Sequence, residues 1–255
     1  MSEAQTTTAA ANQPIVSFKV EGQELRAPRE ASLLEVLLEH GYELPHLCHH
    51  WAVKPYGACR LCLVEVKKGR KSKLTTSCNY PVLEGIEVTT KSERISRNRR
   101  MMLELLLAMA PTSDVLQKLA AEYGLKPADV RFKVDDDGDT CILCGLCVRV
   151  CREVVGVDAL SFSGRGMNKA AVPPFKEAPE SCIACGACSF ICPTNCIGFR
   201  QVGTMREIPR WERKLPMRVC TRCGYPYAPI FQLTYFRNRA RVPQDFFDLC
   251  PDCRE

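Results

Sequence analysis

All but one of the 17 cysteines in this 255-residue chain fall into four groups of four. The groups are Cys48, Cys59, Cys62 and Cys78; Cys141, Cys144, Cys147 and Cys151; Cys182, Cys185, Cys188 and Cys192; and Cys220, Cys223, Cys250 and Cys253. Cys196 is left over. Soft thiolates gathered at short spacing select zinc or iron–sulfur clusters. A disulfide framework fits poorly, because the count is odd and most cysteines sit in C-x-x-C pairs. The N-terminus, MSEAQTTTAAANQ, has no basic segment followed by an apolar one, so no secretory leader is expected. Ligating thiolates imply a reducing compartment, and cytoplasm is the expected location.

The first group has the spacing C-x10-C-x2-C-x15-C. Four thiolates on a loop and a strand suit a [2Fe–2S] cluster, although the plant-type run is the tighter C-x4-C-x2-C; a tetrahedral zinc is the alternative. His46, His49 and His50 flank Cys48, but four thiolates already complete a ligand set. They are therefore read as loop residues rather than Rieske ligands. Gly41 and Gly57 are expected to let backbone N–H groups approach the sulfurs.

The second and third groups are one motif duplicated. Cys141-Ile-Leu-Cys-Gly-Leu-Cys147 then Cys151 matches Cys182-Ile-Ala-Cys-Gly-Ala-Cys188 then Cys192 in spacing, glycine position and apolar fillers. In such C-x2-C-x2-C-x3-C runs the fourth cysteine ligates the other cluster. One [4Fe–4S] cluster would then use Cys141, Cys144, Cys147 and Cys192, and the other Cys182, Cys185, Cys188 and Cys151. Pro193 follows Cys192, whereas Arg152 follows Cys151. Gly145 and Gly186 keep the wall beside each cluster thin. Cys196 is expected to pack as a small apolar residue.

The fourth group is two C-x-x-C knuckles separated by 26 residues. It reads as a four-thiolate ribbon holding zinc, with rubredoxin-type iron or a third [4Fe–4S] cluster as alternatives. Between the knuckles, Phe231, Tyr235, Phe236, Arg237, Arg239 and Arg241 offer a docking face for a partner subunit.

The elements that must position these ligands are legible in outline. Ile15 to Val20 and Gln23 to Ala27 read as strands joined by a turn at Glu21-Gly22. Ser32 to Glu35 reads as a capping box opening a helix that Gly41 closes. Leu61 to Val66 reads as a strand carrying Cys62, followed by Leu74-Thr75-Thr76 and by Ile86 to Thr90. Thr90 to Glu93 reads as a second capping box, opening a helix over 92–108 that Pro111 stops. Its basic first half, Arg94, Arg97, Arg99 and Arg100, reads as a solvated face. A short helix follows from Ser113 to Tyr123, and Asp135 to Asp139 is a polar linker. The expected fold is α+β: a disordered tail at 1–13, a β-grasp [2Fe–2S] ferredoxin domain at 14–91 and a helical linker at 92–134. A bacterial-type two-[4Fe–4S] ferredoxin domain at 135–205 and a small four-cysteine zinc-ribbon-like tail at 206–255 complete it.

The formal charge of +6 leaves every thiol neutral. A four-thiolate site carries about −2, so four of them bring the loaded chain to about −2. The basic excess is thus largely counter-charge for the cofactors, and no nucleic-acid partner is expected. The apolar stretch Met101 to Ala110 is too short for a membrane span and contains Glu104, so no direct membrane insertion is expected. Neither G-x-G-x-x-G after a strand nor a P-loop occurs, and all four histidines precede Trp51. Conductors without a substrate site point to an electron relay. Two other readings use the same cysteines: an iron–sulfur subunit of a succinate or fumarate type enzyme, and a redox-sensing nucleic-acid-binding protein. The gap after Cys48 and the zinc-like tail weigh against the first, and the accounted-for basic excess against the second.

The order of motifs resembles the electron-transfer subunit of NAD-linked hydrogenases and formate dehydrogenases. It also resembles the N-terminal part of the large iron–sulfur subunit of respiratory complex I. The similar stretches are Cys141 to Cys151, Gly156-Val-Asp-Ala, Phe162-Ser-Gly-Arg-Gly166 and Cys192-Pro-Thr, and the likeness covers residues 14–200. It implies a relay between a flavoprotein NAD(P)H-dehydrogenase subunit and a catalytic or ferredoxin-linked subunit, in a multisubunit oxidoreductase of a kind that includes electron-bifurcating enzymes. That family also carries a His-plus-three-Cys cluster, but residues 79–140 contain neither His nor Cys, so that cluster is missing here. The missing cluster and the ribbon bring the chain nearer to the accessory subunits of anaerobic flavin-based oxidoreductases.

Overall fold

Alternation along Ile15–Val20 (β1) turns Val16, Phe18 and Val20 into one apolar core, and that core sets the first half of the molecule. The computed structural model describes residues 13–126, 129–133, 138–240, 242–243 and 245–254. Residues 1–12 of the expected tail, most of the Asp135 to Asp139 linker and Arg241 lie outside the described residues. The chain divides into two compact units: residues 1–49 with 55–144, and residues 50–54 with 145–255.

In unit 1, β1 pairs antiparallel with Gln23–Pro28 (β2) and parallel with Glu87–Thr89 (β5). Leu63–Lys68 (β3) lies between β5 and Lys71–Thr76 (β4), antiparallel to both. The order β2-β1-β5-β3-β4, with a helix between β2 and β3, is a β-grasp sheet. That helix, Leu33–Glu39 (α1), buries Leu33, Leu34, Val36 and Leu37. Its expected capping box does not form. Ser32 occupies the N-cap without a side-chain cap bond, and its hydroxyl lies 3.5 Å from the Cys78 carbonyl instead. Losing a cap costs about 1 kcal/mol. Burying one leucine contributes about 1.5–3 kcal/mol, so packing decides the helix.

Glu93–Met109 (α2) begins at the last residue of the second expected capping box. Ser92 is its N-cap and accepts from the Ile95 N–H, while the Thr90 hydroxyl donates to Glu21. Asp114–Glu122 (α3) packs against α2. Arg99 does not face solvent. It is buried, and it donates to the carbonyls of Leu61, Leu63 and Thr90 and to the Tyr123 hydroxyl.

Unit 2 starts from Leu146–Arg149 (α4), which runs on as a π-helical turn over Val150–Val155 to the left-handed Gly156. The segment 50–54 is tied to it, the Lys54 N–H donating to Glu153 at 2.7 Å. Ser161–Ser163 (β6) and Ala170–Val172 (β7) form a hairpin, and Ala187–Phe190 (α5) repeats α4. A four-stranded antiparallel sheet follows: Arg200–Val202 (β8), Met205–Ile208 (β9), Arg213–Val219 (β10) and Pro226–Pro229 (β11). Ile230–Ala240 (α6) packs on β10 and β11. Ile208, Trp211 and Leu215 of this sheet share a core with Cys188 and Cys192. Among the described residues no helix is long and apolar enough to cross a membrane.

Candidate metal centres

None of the seventeen cysteines forms a disulfide. Cys48, Cys59, Cys62 and Cys78 lie together at the sheet and loops of unit 1, each no more than 3% exposed, and Cys62 and Cys78 belong to the apolar core itself. Cys62 sits just before β3 rather than on it, and Cys78 lies on a single 3₁₀ turn after β4. The Cys59 N–H points at the Cys48 sulfur (3.4 Å) and the Leu47 N–H at the Cys59 sulfur (3.5 Å). Such donors favour thiolate charge. The Cys62 thiol is drawn down to about 6, chiefly by its hydrogen bond with the Cys78 sulfur, while Cys78 is pushed up by the same contact. The Ser77 hydroxyl donates to the Cys62 carbonyl at 2.9 Å, and Arg99 grips the carbonyls on either side.

Gly57 has φ +72°, and a Cβ there would meet the Asn79 amide at 2.5 Å. Gly41 plays the helix-closing part its sequence position suggests. It closes α1 in a left-handed cap, where the Tyr42 N–H reaches the Leu37 carbonyl. The histidines are engaged by protein groups: His46 with the Leu44 carbonyl, His49 with Glu35 at 3.4 Å, and His50 with the Ala52 N–H.

The duplicated motif is visible in the backbone. Leu143 and Ala184, equivalent in the two runs, both adopt positive φ (51° and 49°), and Gly145 and Gly186 both open a short helix in the left-handed region. A Cβ on Gly186 would meet the Phe199 ring at 2.6 Å, so only glycine fits. Pro193 and Arg152 explain the asymmetry. Proline cannot continue a helix, whereas Arg152 lets the chain wind on to Gly156.

Cys151, Cys182, Cys185 and Cys188 line one small cavity in unit 2, with Val155, Leu160, Ile208 and Trp211 in its wall. Its thiol chemistry and apolar lining fit a four-thiolate cluster. The Ala159 N–H donates to the Cys151 sulfur (3.3 Å) and the Trp211 indole N–H to the Cys188 sulfur (3.4 Å). Burial pushes the Cys188 thiol up to about 12. Of the other set, Cys141 and Cys144 belong to unit 1, and Cys147 and Cys192 to unit 2. Cys196 is half-buried, and its sulfur lies 3.4 Å from that of Cys192. It is thus more than apolar filling: this contact leads the causes that draw Cys192 down to about 5.

The sulfurs of Cys220, Cys223, Cys250 and Cys253 all lie within 4.8 Å of one another. The Cys250 N–H donates to the Cys220 sulfur at 3.3 Å, and Arg254 stacks on Phe246 and Phe247 beneath the knuckles. The expected docking face is divided: Tyr235 and Arg237 are half-buried, while Phe231, Phe236 and Arg239 are exposed. Tyr235 donates to the Val155 carbonyl, Arg239 stacks on Tyr235, Arg237 faces the Phe247 ring and Arg213 the Phe231 ring. Arg99, Trp211, Arg206 and Arg213 carry no spacing signal, and sequence reading does not assign them to the sites.

Residues 13–93 match a 2Fe-2S iron–sulfur cluster binding domain, and residues 177–198 match a 4Fe-4S binding domain. The alpha subunit of NADPH-Fe(3+) oxidoreductase from Geobacter sulfurreducens is 32% identical over 249 residues, covering 89% of this chain and 28% of that protein. A subunit of NADH-quinone oxidoreductase from Rhizobium meliloti is 28% identical, covering 82% of this chain and 27% of that protein. A subunit of NADP-reducing hydrogenase from Solidesulfovibrio fructosivorans is also 28% identical, covering 72% of this chain and 36% of its own length. A chain in the crystal structure of an NAD⁺-reducing [NiFe]-hydrogenase superposes with TM-score 0.60 at 29% identity, over 71% of this chain and 86% of that one.

The chain resembles the diaphorase-type iron–sulfur subunits. It spans little more than a quarter to a third of the curated relatives it matches. Like that class it carries a [2Fe–2S] domain followed by a [4Fe–4S] motif, and it adds a C-terminal four-cysteine cluster.

Proposed function

We propose that the chain is an electron-relay subunit of a multisubunit oxidoreductase. It passes single electrons between a flavoprotein that oxidises NAD(P)H and a catalytic or ferredoxin-linked partner, and the reducing chemistry of its thiols suits the cytoplasm. The observation that carries this reading is the cavity lined by Cys151, Cys182, Cys185 and Cys188, a four-thiolate pocket whose remaining wall is apolar. Iron–sulfur clusters supply reversible one-electron storage when bound. The residues of the chain do the rest.

Cys48, Cys59, Cys62 and Cys78 hold a [2Fe–2S] group, with Arg99 fixing the backbone around Cys62. Cys151 joins Cys182, Cys185 and Cys188 in one [4Fe–4S] site, and Cys192 joins Cys141, Cys144 and Cys147 in the other. Cys220, Cys223, Cys250 and Cys253 hold zinc. Four sulfurs within 4.8 Å suit a single ion, because metal–sulfur bonds of about 2.3 Å place tetrahedral ligands about 3.8 Å apart. These sets fall in the segments 14–91, 135–205 and 206–255.

Anaerobic metal and sulfide analysis tests the assignment. About 10 iron, about 10 acid-labile sulfide and about 1 zinc per chain are expected. Iron near 2 with several zincs would overturn it. Addition of a flavoprotein NAD(P)H dehydrogenase should bleach the clusters upon NAD(P)H, and clusters that no low-potential donor reduces would refute the relay.

A further inference from the structure

The C-terminal sheet does more than carry the zinc ribbon. Its residues reach the cavity that holds four of the thiols. Trp211, between β9 and β10, is 2% exposed and forms part of that wall. Indole nitrogen can only donate, and its N–H lies 3.4 Å from the Cys188 sulfur. Arg213, at the start of β10, donates to the carbonyls of Cys182 (2.9 Å) and Glu180 (3.0 Å), which places its guanidinium beside a second ligand. Arg206 on β9 lies over the Phe199 ring at 4.9 Å and donates to the Tyr227 carbonyl at 3.2 Å. Its Nε is buried without a hydrogen-bond partner, and the Phe199 ring it covers packs against Gly186, the residue after Cys185. One N–H donor and two cations therefore surround a single set of sulfurs, all supplied by a segment that contributes no ligand to it.

We propose that this sheet sets the reduction potential of the cluster held by Cys151, Cys182, Cys185 and Cys188, with Trp211, Arg206 and Arg213 as its positioning residues. The inference rests on the relay reading above. Four thiolates give the oxidised cluster about −2, and one electron takes it to about −3 with no bond made or broken. A hydrogen bond to a ligand sulfur and nearby positive charge both stabilise the more negative state, which raises the potential.

The test is an EPR-monitored redox titration of the full-length, anaerobically reconstituted chain. The reduction wave of interest is the one that Cys185→Ala removes. In Trp211→Phe with full iron content it should move to lower potential, changing the reduced-to-oxidised ratio about tenfold at fixed potential, or about 59 mV. The [2Fe–2S] wave and the other [4Fe–4S] wave should stay in place. A wave that stays put or moves upward overturns the inference. Should Trp211→Phe lose iron, Arg206→Met and Arg206→Lys decide: a fall in Met that Lys restores supports the proposal, and an unmoved wave in Met refutes it. A wild-type chain with no [4Fe–4S] wave would overturn the relay reading itself.

Discussion

Arg99 bonds three carbonyls and a tyrosine hydroxyl and lies almost wholly buried, so its contribution is structural. It ties α2 to the backbone on both sides of Cys62. Arg99→Met should destabilise the folded chain by about 3 kcal/mol, because the buried acceptors lose their donor. Denaturant titration of the loaded protein checks this, and an unchanged midpoint would contradict it. Glu21 acts just before the start of the same helix. Burial alone would push its carboxyl up, but hydrogen bonds from the Thr90 N–H, the Thr90 hydroxyl and the Lys91 N–H more than reverse that, leaving it below the usual 4.5. A depressed carboxyl stabilises the fold above its unfolded value, and that contribution is lost as pH falls through the folded one. Thermal unfolding followed from pH 7 to pH 3 should show a shallower acid loss in Glu21→Gln than in the parent.

At the scale of the element, two glycines with similar φ should respond differently to the same change. Gly41→Ala meets open space and carries only the left-handed backbone penalty, about 1 kcal/mol. Gly57→Ala adds a collision with Asn79, beside Cys78, and should cost about 2 kcal/mol or more. Melting temperatures of the two variants, with the visible [2Fe–2S] spectrum, separate them; equal losses would show that the loop around Gly57 yields freely. The β-grasp strands and helices are legible in the sequence because alternation and helical spacing are local signals. Both capping boxes are misread, since Ser32 and Thr90 have better partners elsewhere in the chain, Cys78 and Glu21. Arg99 is misread for the same reason. Within a run of arginines nothing local distinguishes the one that turns inward.

For the molecule as a whole, cysteine spacing points to thiols that the fold brings together: Cys220, Cys223, Cys250 and Cys253 within 4.8 Å, and Cys151, Cys182, Cys185 and Cys188 around one cavity. The wall of the cavity around Cys151 and Cys188 is not legible. Trp211 and Ile208 reach it from a sheet whose strands carry no ligand to it, and such non-local packing has no periodic signature. The C-terminal four-thiolate site should be separable from the rest: Cys250→Ser is expected to lose about one zinc while about 10 iron remain. Hydrogen exchange should speed over residues 220–254 in that variant. Loss of most of the iron along with the zinc would contradict the independence of the ribbon.

The strand order β2-β1-β5-β3-β4 also has a consequence for biogenesis. β5, which lies between β1 and β3, and the Arg99 that grips Leu61 and Leu63, are translated after Cys48, Cys59, Cys62 and Cys78. At about 5–20 residues per second, Arg99 follows Cys48 by roughly 3–10 s. Through that interval the nascent thiols stand open to the cell's iron–sulfur donors and equally to its oxidants. Once β5 is paired, the same four sulfurs are almost wholly enclosed. The timing of cofactor delivery relative to chain elongation is therefore written into the order of the strands.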